Sequence, residues 1–186
     1  MTSGPGRVVV VSGPTAVGKG TVVARLHAVH PETYISVSVT TRPPRPGEID
    51  GVHYRFVDDR TFDELIASDG LLEWAEVHGS ARYGTPRGPV EEAVAAGRTV
   101  ILEIDLAGAR QVRHTCPHAY FVFLAPPSRA ELVRRLRGRG TETPAQQERR
   151  LRTAREEMAA RSEFDAVVVN DDIATTVDEL VALLSL

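Results

Sequence analysis

The stretch that most limits what this chain can fold into is a short glycine-rich turn. Val8, Val9, Val10 and Val11 make Arg7 to Ser12 read as a short buried strand. Gly13-Pro14-Thr15-Ala16-Val17-Gly18-Lys19-Gly20-Thr21 follows at once, and an amphipathic helix with Val22, Val23 and Leu26 on one face comes next. Strand, glycine-rich turn and helix in that order are the context of a phosphate-binding loop. Glycines let backbone N–H groups turn inward around phosphate oxygens, and the helix N-terminus adds about half a positive charge. Lys19 is placed to reach the terminal phosphates. Arg supplies 21 of the 22 basic residues, so Lys19 is the chain's single lysine. Gly20 stands where the strict pattern has Ser or Thr, and Thr21 follows one residue later as the candidate metal-facing hydroxyl.

Composition narrows the rest. The length of 186 residues fits one domain, with room for an inserted lobe but not for two independent enzymes. A net charge of −3 gives no basicity that would argue for nucleic acid or an anionic membrane. The single cysteine, Cys116, excludes a disulfide scaffold and a cysteine-based zinc site. With no long apolar run and no apolar leader, the expectation is a soluble, cytoplasmic protein.

Along the chain, Ile35 to Val39, Val52 to Val57, Leu71 to Val77, Thr99 to Ile104, Ala119 to Leu124 and Ala166 to Val169 read as strands. Thr61 to Ala67 suits a short helix with Glu64 closing a capping box, and Pro86 can open another to about Ala96, capped by Thr85. Thr175 to Leu184 suits a last amphipathic helix. Thr40 to Gly47 carries three prolines and must be an extended, stiff loop. Arg129 to Arg161 holds ten Arg and five Glu, and two helical patterns there flank the polar link Gly138 to Pro144 as a helical hairpin. Strands alternating with helices predict an α/β fold with a parallel, helix-covered sheet. The strand-rich centre, 36–86, is expected to form a small inserted lobe.

Several motifs, in order, carry a more specific message. They are Ser36-Val37-Ser38-Val39-Thr40-Thr41-Arg42-Pro43-Pro44-Arg45-Pro46-Gly47-Glu48 with Gly51, Tyr54 and Phe56, then Glu73-Trp74-Ala75 and Tyr83-Gly84-Thr85. Glu103-Ile104-Asp105, Ala125-Pro126-Pro127-Ser128, Gly138-Arg139-Gly140-Thr141-Glu142-Thr143 and Val169-Asn170-Asp171-Asp172 complete the set. Together they resemble the guanylate kinases over about residues 7–184. Gly20-Thr21 alone is more like the adenylate kinases.

The resemblance implies a P-loop parallel sheet covered by helices, made of a core (1–35, 87–128 and 156–186), a GMP-binding lobe (36–86) and an Arg-rich lid (129–155). These would be parts of one domain spanning about 6–185. It implies that Arg42 and Arg45 hold the GMP phosphate, where planar guanidinium groups give bidentate, permanently charged bonds. Tyr54 and Tyr83 would add phenolic donors. Glu73 would accept from guanine N1–H and the N2 amino group, with Ser38 and Thr85 as smaller hydroxyl contacts. Glu103 and Asp105 would orient Mg²⁺ waters or contact GMP. ATP would lie on Gly13, Pro14, Thr15, Ala16, Val17, Gly18, Lys19, Gly20 and Thr21, with Asn170 on the adenine side. Lys19, Arg42, Arg135, Arg139 and Arg150 would act on the transferring phosphoryl.

The implied activity is Mg²⁺-dependent transfer of the ATP γ-phosphoryl to GMP or dGMP, giving ADP and GDP, which recycles GMP and supplies GTP. A non-catalytic guanylate-kinase-like interaction module and another nucleoside-monophosphate kinase are the alternatives. The expected partners are ATP and GMP or dGMP, with no nucleic acid or membrane. Monomer and homodimer both stay open.

Overall fold

The computed structural model describes residues 6–77, 81–137 and 144–186. Nine strands and seven α-helices run in chain order among them. They are β1 (Arg7–Ser12), α1 (Lys19–Val29), β2 (Tyr34–Ile35), β3 (Val39–Thr40), β4 (Arg55–Phe56), α2 (Asp59–Ala67), β5 (Leu71–Val77) and β6 (Ala81–Pro86). Then come α3 (Arg87–Ala95), β7 (Thr99–Glu103), α4 (Leu106–Thr115), β8 (Tyr120–Ala125), α5 (Arg129–Arg137), α6 (Pro144–Ala159), β9 (Ala166–Val169) and α7 (Ile173–Leu184). Strand order is β2-β7-β1-β8-β9 in a five-stranded sheet and β4-β3-β6-β5 in a four-stranded one. The α/β fold with a parallel sheet expected from the sequence is present: β2 runs parallel to β7, and β8 to β9. Among the described residues no helix is long and apolar enough to cross a membrane.

Contacts divide the chain into two compact units. The first comprises Met1–Val9, Thr33–Leu102 and Ala107–Ala119. Its four-stranded sheet buries Val39 and Leu71 against Phe62 of α2, with Val57, Leu65 and Ile66 packed around them. The second comprises Val10–Glu32, Glu103–Leu106 and Tyr120–Leu186. There the runs Val10 to Ser12 and Phe121 to Ala125 are buried on both faces, as continuous apolar strands require. Helix α1 buries Val22, Val23 and Leu26, the residues its period predicts. Helices α5 and α6 pack through Leu132, Leu136 and Ala154, with Ala16, Leu151 and Met158 beside them.

Four local expectations need correction. Ile35 to Val39 is not one strand, because Ile35 pairs with Ile101 in β7 whereas Val39 pairs with Gly84 in β6. The chain changes sheets across Ser36 to Ser38. Val52 to Val57 shrinks to Arg55–Phe56, since Gly51 adopts φ 75° and its N–H bonds the Tyr54 carbonyl in a turn that leaves Val52 exposed. The capping box at Thr61 and Glu64 does not form. Asp58 caps α2 instead, accepting the Thr61 N–H at 2.8 Å, and Glu64 pairs with Arg60. Thr85 does not cap α3, because its hydroxyl donates to Glu73 and β6 continues through Pro86.

Candidate nucleotide-binding site

In the second unit, β1 ends where the loop begins. A Cβ on Gly13 would lie 2.2 Å from the Leu124 carbonyl oxygen, so only glycine fits there. Gly18 adopts φ 99°, which also favours glycine. Ala16 takes φ 64°, a conformation costing a non-glycine residue about 1 kcal/mol, while its methyl packs beside Leu132, Leu136 and Ala154. The loop lines a cavity of about 330 Å³ with Pro14, Thr15, Gly18, Lys19, Thr21 and Glu103.

Lys19 Nζ donates to the Gly13 carbonyl at 2.6 Å, closing the loop on itself. Burial pushes the ammonium below its ordinary range, and Glu157, Glu103 and Asp105 oppose that shift in this order. Glu157, which is 7% exposed, extends from α6 and accepts the Thr15 N–H at 3.2 Å. Burial raises its carboxyl, opposed by Lys19 and by the Thr15 bond. Glu103 has much of its surface open to solvent, yet the crowded surroundings of its carboxyl raise it too, against the pull of Lys19.

The back of the loop is tied down by two residues named from the sequence. Asn170 is buried, its Nδ2 donates to the Val17 carbonyl at 2.8 Å, and its Oδ1 accepts from Thr176. Arg135 Nη1 donates to the Val17 and Asn170 carbonyls at 3.2 Å each, and its Nε bonds Glu131. Both side chains therefore meet the loop's carbonyl side. Arg150 lies half-buried on α6. Arg139 and the rest of Gly138-Arg139-Gly140-Thr141-Glu142-Thr143 lie outside the described residues.

The first unit gathers a second constellation. Glu73 and Thr85 are opposite each other on β5 and β6, both buried, and the Thr85 hydroxyl donates to Glu73 Oε1 at 2.6 Å. Hydrogen bonds to a charged group are worth about 1.5–3 kcal/mol, which offsets part of the cost of burying the carboxylate. Arg42 donates Nε to the Tyr83 hydroxyl at 3.1 Å and meets Glu48 with Nη1 and Nη2 at 2.9 and 2.8 Å. Its guanidinium carbon lies 5.4 Å from the Tyr54 ring centroid, and Tyr54 sits edge-on to Tyr83. Arg45 is exposed, and its backbone N–H also donates to Glu48. Ser38 is half-buried just before β3, its carbonyl accepting from Arg55.

Sequence reasoning assigned no role to Glu157 or Glu48. Glu157 had a visible cue: it follows Leu151 and Ala154 at helical spacing, a carboxylate on the buried stripe of α6. Glu48 lay within the quoted motif, but its pairing with Arg42 depends on how the proline-rich loop folds back.

Known proteins resemble this chain along most of its length. A guanylate kinase from Cutibacterium acnes is 65% identical over 99% of this chain and 92% of its own length. Another from Thermobifida fusca is 61% identical over 97% of this chain and 92% of its own. The crystal structure of a guanylate kinase from Anaplasma phagocytophilum superposes with a TM-score of 0.77 at 35% identity, covering 100% of this chain and 87% of that one. With the guanylate kinase family model matching residues 5–185 as well, the chain belongs to the guanylate kinase family.

Proposed function

We propose that the protein transfers the γ-phosphoryl group of Mg-ATP to GMP, and to dGMP, yielding ADP and GDP in the cytoplasm, where it recycles GMP and supplies GTP. The bond between the γ-phosphorus and its bridging oxygen breaks, and a bond to a GMP phosphate oxygen forms. Such a transition state spreads charge over the phosphoryl oxygens, so the protein's part is positioning and electrostatics. The observation that carries the reading is Glu73. It is a buried carboxylate held by Thr85 on the unit that also presents Arg42, Tyr54 and Tyr83. Guanine offers N1–H and the N2 amino group side by side, and a carboxylate accepts both.

In this reading 36–86 is the GMP lobe, 129–155 the lid, and 1–35, 87–128 and 156–186 the core. Arg42 and Arg45 take the GMP phosphate with Tyr54 and Tyr83, and Ser38 supports the acceptor. The loop from Gly13 to Thr21 takes the ATP phosphates, and Asn170 stands behind it. Lys19, Arg135, Arg139 and Arg150 meet the charge that develops on the phosphoryl. Thr21 and Glu103 line the loop cavity, and Asp105 is near enough to act on Lys19. This hard-oxygen donor set suits Mg²⁺, which keeps several waters and takes its other ligands from phosphate. The ion supplies charge neutralisation at the phosphate oxygens. Thr21 would hold it directly or through water.

The test is ADP production with GMP, AMP, CMP or UMP at saturating Mg-ATP. The reading expects turnover with GMP and at most a trace with the others. Equal use of AMP or a pyrimidine nucleotide would make the chain another nucleoside-monophosphate kinase, and no turnover with any would make it a binding module.

A further inference from the structure

Glu73 sits at an irregular place in its sheet. Leu71 pairs with Pro86 and Glu73 with Thr85, so two steps along β5 oppose one along β6, and Leu72 is the extra residue of a bulge. A bulge bends its strand and re-aims the side chains beside it, at the cost of unpaired backbone groups. β5 is also the edge strand of the four-stranded sheet, so among the described residues no further strand pairs the backbone groups on its outer side.

Helix α4 does so instead. The Gln111 side-chain amide takes both backbone groups of Trp74, Oε1 accepting the N–H at 3.1 Å and Nε2 donating to the carbonyl at 2.9 Å. One turn further on, the Thr115 hydroxyl donates to the Leu72 carbonyl at 2.6 Å. The residues on both sides of Glu73 are therefore pinned by one helix face, with side chains doing what a neighbouring strand's backbone would do.

We propose that Gln111 and Thr115 are positioning residues for guanine recognition: by fixing Leu72 and Trp74 they hold the bulge that aims Glu73. This rests on the guanine-reading role of Glu73. Displacing a recognition group by about 1 Å can cost up to a hundredfold in rate. Loss of the Gln111 clamp should therefore raise KM for GMP roughly tenfold, with KM for ATP unchanged.

The experiment is a double-mutant cycle with Gln111→Met, which keeps volume but makes neither bond, and Glu73→Gln, read as kcat/KM for GMP with thermal unfolding of each protein in parallel. Residues acting through one another are strongly non-additive. The expected result is that Gln111→Met costs about tenfold in the native background and under twofold beside Glu73→Gln. Gln111→Asn, too short to span Trp74, should behave like Gln111→Met. A lowered unfolding temperature with unchanged KM for GMP, or equal losses in both backgrounds, would overturn the proposal and leave Gln111 a purely structural clamp. If Glu73→Gln alone loses nothing, the guanine-reading role itself is overturned, and this inference with it.

Discussion

Glu157 lends a carboxylate oxygen to the backbone N–H of Thr15, and through that bond the returning helix α6 holds the loop that surrounds Lys19. A hydrogen bond to a charged acceptor is worth about 1.5–3 kcal/mol, and the half-buried Thr15 N–H loses it when the carboxylate is removed. Glu157→Ala should therefore raise KM for ATP by about tenfold or more and leave KM for GMP nearly unchanged. Glu157→Gln, which keeps an oxygen acceptor, should recover most of the loss. Steady-state kinetics with each substrate varied in turn checks this, and a native KM for ATP in Glu157→Ala would contradict it.

The Arg42–Glu48 pair makes a prediction about pH. The Arg42 side chain, and then the Arg45 N–H, holds the Glu48 carboxyl down at about 2. An unfolded glutamate titrates near 4.3, so the unfolded chain binds more protons between those values and stability rises with pH across them. The contribution is complete above about pH 4.3 and is lost as pH falls through 2. Glu48→Gln should lower the unfolding midpoint at pH 7 and flatten its fall between about pH 4.3 and 2. Denaturation of both proteins at pH 7, 4 and 3 decides it. Parallel curves would mean that the pair adds no stability.

Arg135 links α5 to the loop through the Val17 and Asn170 carbonyls, whereas Arg152 on α6 is exposed. Arg135→Ala should lower kcat and kcat/KM for ATP together, by roughly tenfold or more, the pattern of a contact felt in the transition state. Arg152→Ala should change either by less than about threefold. Equal losses at both would reduce the arginines to a general positive field.

Much of this was legible in the chain because its signals are local. The buried strand Arg7–Ser12, the loop after it and the inner face of α1 all follow from consecutive residues. The same holds for Leu71–Val77, found with the bounds its pattern suggests. Failures came where tertiary partners override local chemistry. Thr85 reads as a helix cap until a buried carboxylate on the neighbouring strand claims its hydroxyl. Ile35 and Val39 read as one strand because nothing nearby says that they join different sheets. Glu157 stands 142 positions from Thr15, and no sequence window spans that distance.

In the proposed reaction, guanine is read by one buried carboxylate, Glu73. Glu73→Gln keeps size and shape but turns an amino group toward a guanine donor. AMP presents a bare acceptor on the same edge, so the native carboxylate would keep its Thr85 bond but gain no donor from the base, a loss of about 1–3 kcal/mol or more. A site built on such a polar pair rejects the wrong substrate by orders of magnitude. The direct measurement is steady-state kinetics of the native protein and Glu73→Gln with GMP and with AMP at saturating ATP. In Glu73→Gln, kcat/KM for GMP should fall by roughly a hundredfold, about 2.7 kcal/mol, with KM for ATP barely moved. Native turnover of AMP as fast as GMP, or no loss with GMP in Glu73→Gln, would contradict it.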